Sequence, residues 1–197
     1  MKYKQFLIIL TVLFFSTISV DAQSDTDNGS SASFHLDAGV GVDSIDGLPE
    51  NFTTHSSGSC LYMKARYFIN DKIGIGINHF ISDRGYDDDQ GNEEYAMELD
   101  LTGTTYDLVL SLNNKRKFTP YLLFSHGNIT MEGDITQSGL VVESFSEKDT
   151  ISGYGFGVQG AGYEKGFYGS FEFRYYAFKD AEDLDLYQGL LSFGYKF

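Results

Sequence analysis

From residue 33 onward the chain runs on a two-residue period: apolar and polar side chains alternate through about eight runs separated by turn-forming residues. That period puts successive side chains on opposite faces of a β-strand, and no helix-period pattern competes with it there. At 33–43, Phe34, Leu36, Ala38, Val40 and Val42 oppose His35, Asp37, Gly39, Gly41 and Asp43. At 60–69, Leu61, Met63, Ala65, Tyr67 and Ile69 oppose Tyr62, Lys64, Arg66 and Phe68, and at 72–81 Ile73, Ile75 and Ile77 oppose Gly74, Gly76 and Asn78. The sixth run (152–163) sets Tyr154, Phe156 and Val158 against Gly153, Gly155, Gly157 and Gln159. The seventh (167–178) sets Phe171, Phe173 and Tyr175 against Ser170, Glu172 and Arg174. The eighth, from Leu184, ends on Leu191, Phe193, Tyr195 and Phe197 with Ser192, Gly194 and Lys196 opposite.

Two runs are less regular. In 96–112, Met97, Leu99 and Leu101 share a face opposite Glu98, Asp100 and Thr102, and beyond Gly103 the apolar set becomes Tyr106, Leu108, Leu110 and Leu112. A one-residue slip at a glycine is what a β-bulge produces, so a bulge is expected there. The run 117–130 leaves its faces unassigned.

Which face is inside is decided by what the polar face carries. Its glycines suit a crowded lumen better than a solvated surface. Lys64, Arg66, Glu98, Asp100, Glu172 and Arg174 have the mixed charge to pair across a narrow interior. A Lys or Arg turned to lipid at mid-bilayer would instead cost roughly 2–4 kcal/mol. Aromatic residues such as Tyr187, Tyr195 and Phe197 stand at strand ends, where a membrane barrel carries interfacial girdles. Short connections at 70–72, 113–116 and 164–166 alternate with longer ones at 44–59, 82–95, 131–151 and 179–183. The expected fold is therefore all-β: an eight-stranded antiparallel up-and-down transmembrane β-barrel of outer-membrane type, apolar side out, with its short turns in the periplasm.

The start of the chain agrees. Lys2 and Lys4 precede an apolar stretch from Phe6 to Phe15 and a small-residue site at Val20-Asp21-Ala22, the pattern of a secretory signal peptide. Residues 1–22 are expected to be removed, leaving one barrel domain over 23–197, with an uncleaved anchor as the alternative. Cys60 is the sole cysteine, so no intramolecular disulfide forms and no cysteine-based metal site can be built. A formal net charge of −14 argues against nucleic acid as a partner. Sequons at Asn51 and Asn128 would matter only in a eukaryotic secretory protein.

The final Leu191-x-Phe193-x-Tyr195-x-Phe197, "YFINDKIGIGI" (67–77) and "FTPYLLFSHG" (118–127) resemble the small eight-stranded outer-membrane barrels of the OmpA transmembrane-domain, OmpX and Ail kind. The resemblance implies a bacterial outer membrane and a terminal aromatic strand read by the barrel-assembly machinery. Outer-membrane lipid and lipopolysaccharide, with an extracellular ligand at the loops, are the partners it implies, and adhesion or complement evasion is implied by it alone.

Individual motifs add little chemistry, and no catalytic, cofactor-binding or metal-ligating residue is assigned. Gly155-x-Gly157-x-x-Gly160 matches a dinucleotide fingerprint but lacks the helix that must follow, so no cofactor is expected. The segment 82–95 collects Asp83, Asp87, Asp88, Asp89, Glu93 and Glu94 against Arg84 alone. Its spacing is not that of an EF-hand, and it reads as a solvated acidic tip that would repel phosphate-rich lipopolysaccharide unless divalent cations bridge the two. Ser125-His126-Gly127-Asn128 superficially resembles the His-x-Ser-Asn of a lipid A deacylase, but adjacent residues on a strand face opposite ways. His35, His55 and His79 are isolated. The expectation is a non-enzymatic protein, with a deacylase-like enzyme or a narrow gated pore as alternatives. Eight strands leave an interior that side chains can fill.

Overall fold

The computed structural model describes residues 32–47, 57–90, 93–112, 118–160, 165–181 and 183–197. The expected export signal, His55, Asn51 and the short turn at 113–116 lie outside these residues. Eight strands follow in order: β1 (Ser33–Asp46), β2 (Ser57–Phe68), β3 (Ile73–Gln90), β4 (Glu93–Ser111), β5 (Phe118–Gln137), β6 (Leu140–Gly160), β7 (Gly166–Phe178) and β8 (Asp185–Lys196). Each pairs antiparallel with its sequence neighbour, and β1 pairs with β8 from His35↔Lys196 to Asp46↔Asp185, so the barrel closes without a free edge in its wall.

The alternation sorts as expected through the wall. On β2, Cys60, Tyr62, Lys64, Arg66 and Phe68 are buried in the lumen, and on β7 Tyr168, Ser170, Glu172, Arg174 and Tyr176 are. Their neighbours Ile69, Ile75, Tyr154, Phe171 and Leu191 are exposed large apolar residues on the outer wall. The unassigned run resolves with odd residues inward: Tyr121, Leu123, Ser125 and Ile129 are buried, while Leu122, Phe124, His126 and Asn128 face out.

No bulge occurs at Gly103. The β3–β4 register runs unbroken from Ile73↔Leu110 to Gln90↔Glu93, and odd residues of β4 face inward throughout, from buried Met97 to buried Val109. The surroundings change there, not the phase. On one side of Gly103 the outer wall is apolar, with Tyr106 and Leu108 exposed, and the lumen is polar; on the other side the outer wall is polar, with Glu98 exposed, and Leu99 and Leu101 fill an apolar interior. Glu98 and Asp100 therefore do not join the lumenal charges as expected. Gly103 itself is needed because a Cβ would fall 2.2 Å from Cζ of Phe80.

The segments expected as long loops are largely strand. β3 and β4 stay paired to Gln90↔Glu93, and β5 and β6 to Gln137↔Leu140 across a tight turn with φ of 51° at Ser138 and 80° at Gly139. That mirror-image turn geometry matches the twist of a hairpin. The one register shift in this ladder lies between Ile135 and Thr136. By contrast β2–β3 pairing stops at Ser59↔Asp83 and β6–β7 pairing at Ile151↔Phe178. Four strands thus stand off one rim as a sheet, running eight to ten residues beyond the level of Gly103, or about 26–33 Å along the strands at about 3.3 Å per residue. The other rim carries the end of β8 and the tight turn at 69–73, where the Asn70 side chain accepts from the amides of Lys72 and Ile73, both at 2.9 Å.

Candidate functional site

Three regions have chemistry: the lumen, the projecting sheet and the outer wall. In the lumen, Glu172 from β7 is the central acceptor. Its Oε1 takes hydrogen bonds from Nζ of Lys64 at 2.6 Å, from the Tyr121 hydroxyl at 2.6 Å and from Arg66; Nε of Arg174 donates to Oε2 at 2.9 Å. Arg174 reaches on to Asp107, with Nη2 at 2.8 Å from Oδ2, and donates to the Tyr176 hydroxyl at 2.9 Å. Arg66 also lies 3.6 Å from Asp37. Three cations and three carboxylates from β1, β2, β4 and β7 thus neutralise one another in the middle of the barrel.

Toward the sheet the interior turns apolar. Phe80, Leu101, Ile129, Ile151, Tyr176, Leu186 and Leu190 are at most 1% exposed and pack with Met97, Leu99 and Met131 into one cluster. The β7–β8 turn covers it, since Ala181 and Leu184 pack on the same cluster. Asp149 of β6 fastens that turn: its carboxylate accepts from the amides of Asp180 and Ala181 at 3.1 Å and of Thr150 at 2.5 Å. Arg84, expected in the acidic tip, lies inside and pairs with Asp43 at 2.7 Å. The lumen is closed by charge pairing at mid-barrel and by apolar packing above it.

The motif residues are dispersed. Ser125 points inward and donates to Asp107 at 2.7 Å, while His126 points outward to Ser152 at 2.9 Å, so the two share no face. His35 lies between Phe68 and Tyr168 in the lumen with its ring tilted 44° and 55° to theirs, and His79 pairs with Thr104 on the outer side. The glycines of the fingerprint-like run serve close approach: a Cβ at Gly155 would lie 2.5 Å from the Phe173 carbonyl oxygen, and one at Gly157 2.4 Å from the Tyr121 ring. The side chains at 86–90 and 93–95 lie outside the described set, so a cation-binding role for the acidic tip has no geometry to meet.

The projecting sheet is polar outside and apolar inside. Asp83, Glu98, Glu132, Asp134, Glu143 and Glu147 are exposed on it, with Lys148 as the exposed cation among its described residues. Its far end breaks this rule: Leu140, Val141 and Val142 are 72%, 60% and 56% exposed. The tip is not legible in the sequence, where 131–151 reads as a loop.

On the outer wall, aromatic rings gather at two levels. Phe34, Phe167, Phe193, Tyr195 and Phe197 interlock at the turn rim, and Tyr154, Tyr175 and Tyr187 toward the sheet rim with ring centroids 5.1 and 5.3 Å apart. Tyr187 and Tyr195 are about 26 Å apart along β8, or about 20 Å along the membrane normal at the usual tilt. That is a little under the apolar band of roughly 25 Å that separates the two girdles of outer-membrane barrels.

Comparison with known proteins agrees with this geometry. The family described as outer membrane protein beta-barrel domain matches residues 10–197. No curated protein matches the chain. Among solved structures, Ail, the attachment invasion locus protein of Yersinia pestis, is similar at 17% identity and a TM-score of 0.61, over 85% of this chain and 99% of that one. Ail has also been solved with the heparin analogue sucrose octasulfate. A major outer membrane protein of Thermus thermophilus matches at 11% identity and a TM-score of 0.54, over 85% of this chain and 100% of that one. The N-terminal β-barrel domain of Pseudomonas aeruginosa OprF matches at 14% and 0.52, over 85% and 99%. At these identities the structural likenesses show the fold alone.

Proposed function

The chain belongs to the outer-membrane β-barrel domain family and is a protein of the bacterial outer membrane; from that premise we propose that it is a non-enzymatic surface-interaction protein whose working part is the sheet of β3–β6. Residues 1–22 serve as the export signal in this reading, and 23–197 form the mature barrel. Short turns face the periplasm in such barrels and longer connections face outward, which puts the sheet in the extracellular space. The observation that carries the reading is the combination of an acidic sheet with an exposed aliphatic tip at Leu140–Val142. A barrel built only to stabilise the membrane has no need of either.

Two contact modes are built into the sheet. Its tip offers apolar area to a partner pocket, and its outer edges, β3 beyond Asp83 and β6 before Asp149, extend past the ladders with β2 and β7. The acidic surface opposes polyanions, so the sulfated ligand seen with Ail is disfavoured here and cationic partners, or divalent-bridged lipopolysaccharide, are favoured. The deacylase-like alternative loses support from the divergent Ser125 and His126, and the pore alternative from the packed lumen.

The test is adhesion of intact cells to immobilised matrix and serum proteins. Cells carrying the wild-type chain are compared with cells carrying Leu140→Ser, Val141→Ser and Val142→Ser together. Binding that falls with the triple variant at equal surface level supports the reading. Equal binding across the whole set of proteins, for this variant and for one with the hairpin cut back to the rim, overturns it.

A further inference from the structure

The projecting sheet leaves the barrel wall at two branch points, and each carries the same device. β3 parts from β2 after Ser59↔Asp83, and the first residue beyond is Arg84. β6 parts from β7 after Ile151↔Phe178, with the Lys179 amide still donating to the Thr150 carbonyl at 3.0 Å, and the first residue beyond is Asp149. Both side chains turn inward and are buried, and both bind the half of the rim that does not project. Arg84 passes β2 to reach Asp43 on β1, with Nη2 at 2.7 Å from Oδ1. Gly58 of β2 leaves the gap for this contact: a Cβ there would lie 2.5 Å from Oδ1 of Asp43 and 2.9 Å from Oγ of Ser82. Asp149 reaches the β7–β8 turn, accepting from the amides of Asp180 and Ala181 at 3.1 Å.

Stability gives little reason for the first of these contacts. Nε and Nη1 of Arg84 and Oδ2 of Asp43 have no hydrogen-bond partner among the described residues, and a buried ion pair with unmet groups is no better than an apolar pair of similar volume. What the pair supplies is a fixed position, because β1 and β3 are not neighbours in the barrel and must stay within reach. We propose that Arg84 and Asp149 are straps that hold the sheet inward over the barrel mouth, and that a sheet freed from both tilts outward about the rim. Its four strands are paired to their tips, so they move as one body. The inner face of the sheet meets Ala181 and Leu184 of the opposite rim, and Ile135 and Phe145 on it are partly buried, so tilting uncovers apolar surface that the straps keep closed. The straps act whatever the sheet contacts, so this inference and the surface reading stand or fall separately.

The test is pulsed electron spin resonance on the chain in phospholipid nanodiscs, in a Cys60→Ser background. Spin labels go on Ser138→Cys at the exposed tip and on Val42→Cys on the outer face of β1. One strap is released by Asp43→Leu with Arg84→Met, which removes the pair without orphaning a charge, and the other by Asp149→Ala. Tilting a lever of about 30 Å by roughly 10° carries its tip about 5 Å. With both straps released the mean label distance should lengthen by about that amount, and with either released alone by less. A distance distribution unchanged in the combined variant overturns the proposal. So does a loss of amide protection in β4 and β5 as the distance grows, since the sheet would then be unfolding instead of tilting. Should the paired substitution prevent folding, Gly58→Val with Asp149→Ala fills the gap, keeps Arg84 and Asp43, and is read in the same way.

Discussion

Replacing Glu172 by Gln separates the two ways the lumen is closed. The substitution keeps the shape of the side chain and removes its charge. Arg174 retains Asp107 at 2.8 Å, Arg66 retains Asp37 at 3.6 Å, and Lys64, whose carboxylate partner is Glu172 at 2.6 Å, is left with none. Removing one member of a buried pair costs about 3–5 kcal/mol, because the remaining charge stays buried. One cation is orphaned and two are weakened, so the loss should be about 4 kcal/mol, read as a lower guanidinium midpoint for unfolding from phospholipid vesicles. Conductance should not follow stability. The apolar layer of Phe80, Leu101, Ile129 and Ile151 is untouched, so wild type and Glu172→Gln should both conduct little in planar bilayers. Large stable steps in the variant would show that the charges, not the apolar layer, form the seal. A stability loss under about 1 kcal/mol would refute the central role of the carboxylate.

Other perturbations probe the remaining parts. Phe197→Ser removes the ring that packs on Phe34 and Tyr195 and should slow insertion, seen as less heat-modifiable barrel when assembly is limiting; unchanged levels would argue against terminal-strand recognition. Asp149→Ala strips the acceptor from three amides and should destabilise the β7–β8 turn by about 1–3 kcal/mol, freeing the backbone at the already exposed Lys179 for cleavage by trypsin on intact cells while the barrel stays folded. An epitope inserted between Ser138 and Gly139 should stain on intact cells, and one after Asn114 only after permeabilisation; the reverse pattern would invert the orientation on which the surface reading depends.

The wall of the barrel was legible in the sequence because lipid and lumen impose opposite demands on alternate residues. Lys64, Arg66, Glu172 and Arg174 fell on one side of their strands and Leu61, Met63, Phe171 and Phe173 on the other, and the structure keeps that division. The run at 117–130 resisted because β5 carries apolar residues on both faces, Leu123 inward and Leu122 and Phe124 outward.

The projecting sheet is hidden in the sequence because the rule that reads the wall fails beyond the membrane boundary. In the membrane, outward means apolar; beyond it, outward means polar, and a strand that crosses the boundary in constant phase reverses its pattern. β4 does so at Gly103, and its reversal imitates a bulge in sequence. The same reversal explains how the protein can extend four strands into water without a separate domain. Above the girdle the interior becomes the apolar side, so the sheet has its own core of Met97, Leu99, Met131 and Phe145, continuous with the layer that seals the lumen. One cluster thus both closes the barrel and stiffens the sheet. A polar substitution there, such as Leu101→Asn, should therefore loosen the seal and the sheet together. Conductance and protease cleavage of 131–151 on intact cells should rise in the same variant. A variant that raises one without the other would show that the two are separate structures.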